Sequence, residues 1–166
     1  MLKPLRQGPP PLDPARVSNA ASCILPPRFE AVRDARSFTR GTLDDWDTGD
    51  RYDDICLVVS ELVTNALRHA LPADAACPAD AARAAALHGA VRLHLMRWTG
   101  RLVCAVRDPS DDSPVARTGE DFAAESGRGL FLVESFSDGW GWYPLTGTVP
   151  GKVVWALFRL ADPPVV

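Results

Sequence analysis

The chain has 166 residues, 46% of them hydrophobic and 23% charged, with a formal net charge of −3. That length suits one domain with a real core, and the balance is ordinary for a soluble globular protein. A mildly acidic chain gives no sign of a nucleic-acid surface, no apolar run approaches the roughly 18 residues that cross a bilayer, and the four cysteines lack metal-site or redox-pair spacing, so a reducing cytoplasmic setting is expected.

Residues 1–20 carry prolines, arginines and small residues without periodicity, and have positive charge but no apolar core of a secretory signal. They read as a disordered tail ahead of a single domain over 21–162. Residues 22–27, SCILPP, read as a short edge strand stopped by its prolines. Over 28–44, Phe29, Val32, Ala35, Phe38 and Leu43 predict an amphipathic helix, followed by an acidic loop to Asp50. The stretch 54–70, DICLVVSELVTNALRHA, predicts a second helix: Ile55, Cys56, Val59, Leu62, Val63, Ala66, Leu67 and Ala70 form one apolar stripe. Residues 71–89 are alanine-rich with two prolines, and fit either a short helix over Asp80–Leu87 or a mobile loop.

Val91–Trp98 alternates, Gly100-Arg101 turns the chain, and Leu102–Arg107 returns as the second arm of a hairpin ending at Asp108. Residues 109–126 are polar and acidic, the composition of a mobile loop. Gly127 and Gly129 flank Arg128, and a third helix is predicted from about Gly129 to Phe136. An aromatic strand over 140–143, a glycine- and proline-containing turn and an apolar strand over 152–160 close the chain, with Trp140, Trp142 and Trp155 expected as one hairpin core. These periods predict an α/β two-layer sandwich: a mixed, mostly antiparallel sheet covered on one face by about three helices, with a pocket between the layers.

Three segments carry candidate chemistry. Glu61 and Asn65 lie one turn apart, so a carboxylate and a hard amide oxygen suited to Mg²⁺ share a helix face. Taken singly, they equally describe the solvated side of an amphipathic helix. Asp108, at a strand end before Pro109, can accept the exocyclic amine of a base or simply begin a turn. Gly127-Arg128-Gly129 at a helix start lets backbone N–H groups approach an anion, or is a plain turn. Cys56 and Cys104 read as core thiols, and none of His69, His88 and His94 has metal-motif spacing.

Taken in order, these segments resemble the GHKL ATPase superfamily. SELVTNALRHA, the VRDPS strand end, GRGLFLVESFSDGWG and GKVVWALFRL resemble its anti-sigma-factor serine/threonine kinase branch, with the likeness spanning about residues 22–160. The resemblance implies that Glu61 is the catalytic carboxylate, that Asn65 is the Mg²⁺ ligand, and that Asp108 binds the adenine amine of ATP. It implies that Gly127, Arg128, Gly129 and Leu130 hold the phosphates, with 109–126 in the place of an ATP lid. Its partners would be a sigma factor and an anti-sigma antagonist protein, and it leaves room for a homodimer. The chain departs from the family in two places. Asp108-Pro109-Ser110-Asp111-Asp112 lacks the glycines of the usual first box, and Val153 stands where a threonine often follows Gly-Lys, a change expected to remove one polar contact to the base.

Two functions follow from the resemblance: a kinase acting on a serine of a small antagonist protein, or a non-catalytic ATP-binding module that sequesters a sigma factor. A histidine-kinase catalytic domain fits less well, because the chain has no dimerisation helix pair or phospho-accepting histidine segment.

Overall fold

A computed structural model describes residues 6–28, 30–70, 90–110, 125–147 and 151–161. The predicted segment 71–89 and most of the acidic loop lie outside the described residues, with Cys77, His88 and Arg117 among them. The side chains of His69 and Arg128 are likewise not described.

The strands are β1 (Arg6–Gln7), β2 (Asn19–Leu25), β3 (Val91–Trp98), β4 (Arg101–Asp108), β5 (Gly139–Pro144) and β6 (Lys152–Arg159). They form one sheet in the order β1-β5-β6-β4-β3-β2. All neighbours pair antiparallel except β1, which runs parallel to β5. Among the described residues three helices cover one face: α1 (Ala31–Asp45), α2 (Tyr52–Ala70) and α3 (Glu125–Phe136). This is the expected α/β sandwich.

The layers meet along the α2 stripe read from the sequence. Ile55, Val59 and Val63, joined by Val58 outside that stripe, are all 0% exposed, against Leu93, Leu95, Leu102 and Cys104 of the sheet. Each such side chain contributes about 1.5–3 kcal/mol on burial, so the helix is held by its face and not by its intrinsic propensity. Cys56 and Cys104 are buried as expected, and burial pushes the Cys104 thiol up to about 12. That leaves it without the thiolate a nucleophile needs.

Arg51, just before α2, ties distant parts of the chain together. Its guanidinium pairs with Asp138 at 2.7 Å and Asp54 at 3.0 Å, and donates to the carbonyls of Phe136 and Arg159. It also lies 5.4 Å from the centroid of the Phe158 ring. A rigid fork of five donors suits this convergence of acceptors, where a lysine would make fewer bonds.

The structure departs from three expectations. First, residues 6–18 fall in the stretch expected to be disordered, yet they strap the open face of the sheet. Trp155 Nε1 donates to Gly8 O and Trp98 Nε1 donates to Asp13 O, each at 2.8 Å, and Leu12 packs beside both indoles. Composition missed this because the acceptors serve tryptophans far along the chain. A buried indole N–H needs a partner, and an extended, proline-rich backbone supplies carbonyls.

Second, Trp140, Trp142 and Trp155 do not share one core. Trp140 and Trp142 face the helices, whereas Trp155 faces the strap. Strand alternation puts residues an odd number apart on opposite faces, and in β5–β6 register Trp140 pairs with Ala156, so the adjacent Trp155 points the other way. Third, α3 begins at Glu125, four residues before Gly129. The apolar periodicity starts only at Leu130, and glycine is a poor helix former, so the sequence hid the first turn.

Replacing Trp155 with Phe keeps the apolar ring and deletes the bond to Gly8. Trp155→Phe is expected to cost about 1 kcal/mol and to loosen residues 6–8. Hydrogen exchange should show faster amides at Gly8 with unchanged protection in β4 and β6.

Candidate functional site

Glu61 and Asn65 emerge from α2 on the side away from its buried stripe, and both are partly exposed. Their neighbour is α3. A Cβ on Gly129 would lie 3.0 Å from Glu61 Oε2 and 3.3 Å from both amide atoms of Asn65. The backbone of α3 therefore seats directly against this carboxylate–amide pair, and glycine is what permits the approach. Behind it, Leu130 and Val133 are buried in the core and fix the rotation of α3. The structure thus brings Glu61, Asn65 and Gly129 together, with Leu130 next in the chain and turned into the core. Gly127 lies in the first turn of α3, where backbone N–H groups have no partner within the helix, and Arg128 follows at the end of that turn.

Asp108 occupies the end of β4, with a different set of contacts. It is 2% exposed and pairs with Lys152 Nζ at 3.3 Å. Its Oδ1 accepts the Ser110 N–H at 2.8 Å, and Lys152 Nζ donates to Ser110 O at 3.2 Å. Lys152 is 1% exposed, and in register it lies directly opposite Asp108. Such a pair is costly to bury, and removing one partner strands the other charge at about 3–5 kcal/mol. The adjoining turn is tight: Gly151 has φ +143°, and a Cβ there would come 2.7 Å from Asp108 O. Only glycine suits both the φ and the gap.

Lys152 was not singled out from the sequence, although a signal was there. Lys152, Val154, Ala156 and Phe158 alternate along β6, so the lysine shares the inward face of an apolar strand. A charge at an inward position demands a buried counter-charge, and Asp108 was the available one.

The same alternation corrects the reading of Val153. Its side chain lines the opposite face of the sheet, with Ala105 and Arg107, away from the Asp108 side. The expected loss of a polar contact to a base at this position does not apply.

No group of three or more His, Cys, Asp or Glu among the described residues could hold a metal ion unaided. What the site offers is one hard amide oxygen with a carboxylate one turn away, beside a helix backbone free of side chain. That donor set fits a Mg²⁺ that keeps waters and takes its other ligands from a polyphosphate.

Residues 25–156 match the family model described as Histidine kinase-like ATPase domain. No curated protein matches the sequence significantly. Among solved structures, the chain is similar to the RsbU and RsbW domains of a Mycobacterium tuberculosis protein, with 18% identity and a TM-score of 0.58. That match covers 88% of this chain but only 34% of the other, so the chain spans about a third of that protein's structure. It is also similar to the SiaB–SiaC complex from Pseudomonas aeruginosa, with 12% identity, a TM-score of 0.53, and coverage of 86% and 90% of the two chains. At these identities the likeness is one of fold.

The seat at Gly129 makes a graded prediction. Gly129→Ala gains up to about 1 kcal/mol of helix propensity and displaces the Glu61 carboxylate by a few tenths of an ångström. Its melting temperature should stay close to the parent value while the Asn65 side-chain amide signals shift in NMR spectra. Gly129→Val adds two methyl groups at the same point and should destabilise by more than about 1 kcal/mol.

Proposed function

Because the chain belongs to the histidine kinase-like ATPase domain family, we propose that it is an ATP-binding anti-sigma regulatory factor with serine/threonine protein kinase activity. Its substrate is a serine on a small antagonist protein, and its regulated partner is a sigma factor. The observation that carries this reading is the seat of α3 on α2: the backbone at Gly129 meets Glu61 and Asn65 at contact distance. A phosphate chain at the first turn of α3 then lies beside a carboxylate and a metal-suited amide. Similarity of fold to a structure that contains an RsbW domain supports the regulatory assignment. The setting proposed with this function is the cytoplasm; among the described residues no helix is long and apolar enough to cross a membrane.

Each residue has a role. Asp108 accepts the adenine amine. Lys152 holds that carboxylate in place through their ion pair. It has three N–H donors, of which described partners take two, at Asp108 and Ser110. The third suits the N1 acceptor of adenine and opposes guanine, whose N1 carries a proton. Backbone N–H groups of α3's first turn, at Gly127 and Arg128, receive the phosphates. Asn65 is the protein ligand for Mg²⁺, which would neutralise phosphate charge during transfer.

Glu61 orients the incoming serine hydroxyl and accepts its proton as the new O–P bond forms. The bond from the γ-phosphorus to the bridging oxygen breaks, and ADP leaves. Positioning of this kind is most of what phosphoryl transfer asks of a protein.

Mutations should separate these roles. Glu61→Ala is expected to keep ATP affinity and lower phosphotransfer about 100-fold or more, and Asn65→Ala to weaken binding only with Mg²⁺ present. Calorimetry and a radiolabel transfer assay with a candidate antagonist measure both. A Glu61→Ala protein that phosphorylates at the parent rate would overturn the role given to Glu61, and a parent that binds ATP and transfers nothing to any antagonist would favour the non-catalytic sequestering module.

At the other end of the site, Asp108→Asn should lose about 3 kcal/mol of stability, because Lys152 is left uncompensated, and should bind ATP weakly. The double variant Asp108→Asn with Lys152→Met should recover most of that stability but none of the ATP affinity. Denaturant titration and calorimetry on the three proteins check this.

A further inference from the structure

We propose that the open face of the sheet carries a second binding site, for a small organic anion whose flat apolar body is held with its charged head between Arg92 and Arg107. The inference is independent of the nucleotide reading, because it concerns the face away from the helices.

A cavity of about 600 Å³ lies there, lined among others by Arg92, His94, Met96, Arg107, Tyr143 and Val153. Small-molecule sites span roughly 300–1,000 Å³, so the volume suits a ligand of modest size and not a folded partner. The amino-terminal strap covers the neighbouring Trp98–Trp155 patch through Leu12 and leaves this end uncovered by described residues.

The charge pattern selects the ligand. Arg92 and Arg107 are directly opposite each other on β3 and β4, with their side chains on one face. Like charges opposed across a sheet destabilise it. A second opposed pair, Arg101 and Arg159, is exposed at the far end of the face, where water and salt screen it. Arg107, by contrast, is half-buried in the concavity, while Arg92 lines it as an exposed side chain. No carboxylate is among the described residues that line the cavity.

His94 registers the uncompensated field: burial, then the charges of Arg92 and Arg107, hold its imidazole below the usual histidine range. An anionic head between the two guanidiniums removes the repulsion, and planar bidentate recognition of carboxylate or phosphate is what arginine does well. Met96, Tyr143 and Val153 supply the apolar and aromatic wall for the rest of the molecule. A second copy of the chain is disfavoured as the occupant, because a two-fold contact here would place the same arginines against each other.

The test is an NMR titration of the ¹⁵N-labelled chain with 1-naphthoate, with 1-naphthyl phosphate and with neutral 1-naphthalenemethanol. Both acids should give saturable shifts at the His94 and Ala105 amides, with the alcohol at least tenfold weaker, and the tighter acid identifies the preferred head. Arg92→Gln and Arg107→Gln should each lower acid affinity about tenfold without changing that of the alcohol. Both variants should melt no lower than the parent, since each removes one of two opposed charges. With acid bound, the His94 imidazole should titrate at higher pH. Equal affinity for all three probes, shifts confined to Glu61 and Asn65, an unmoved His94, or binding of an acidic peptide where neither naphthyl acid binds would overturn the proposal.

Discussion

The approach of α3 to α2 at Gly129 is the constraint on which the candidate site depends. Two helices that pack with ordinary side chains keep their backbones apart by the bulk of the contact residues. At this one point the bulk is absent on one side, and the carboxylate and amide of α2 reach the helix backbone itself. Everything that makes the site usable follows from that. The polar pair is oriented by packing on both sides, and the first turn of α3 is delivered to a place where unpaired N–H groups and a hard oxygen donor lie near each other. The apolar stripe of α2 anchors one half of this geometry, and Leu130 with Val133 anchors the other.

Much of this was legible in the sequence, for a physical reason. Helical period sets Glu61 above Asn65 and puts Ile55, Val59 and Val63 inward, and strand period sets the faces of β3 and β4. These are local rules, and the structure obeys them. What was not legible was decided by approach across the fold. The strap is an example: its carbonyls are ordered by the indoles of Trp98 and Trp155, and nothing in residues 6–18 announces that. The counter-charge of Asp108 is another. Lys152 was visible as an inward lysine, but its pairing needs the register of β4 against β6, which the sequence does not print. The role expected of position 153 failed at the same step, because a side chain one residue along a strand faces the other way.

The sheet consequently has two chemically distinct faces. One is sealed by helices and carries the buried Asp108–Lys152 pair at its end. The other is partly strapped and partly open, with opposed arginines at a concavity. Adjacent residues on β4, Arg107 and Asp108, belong to different faces. A ligand on one face is therefore separated from the other by a single peptide unit of the same strand, the shortest physical connection the fold provides between them.

The position of β6 has a consequence for how the chain is made. It lies between β5 and β4 in the sheet, yet it follows every other described element in the chain. During synthesis the inward faces of β3 and β4 emerge first, and the strand that pairs the free edge of β4 emerges last. The bond of Arg51 to Arg159 O spans 108 residues and also awaits that segment. Folding here is thus a closing event of high contact order, not a progressive one. Until the ribosome has released the final strand, β4 presents an unpaired, apolar edge, the kind of surface that chaperones bind and that neighbouring nascent chains can capture.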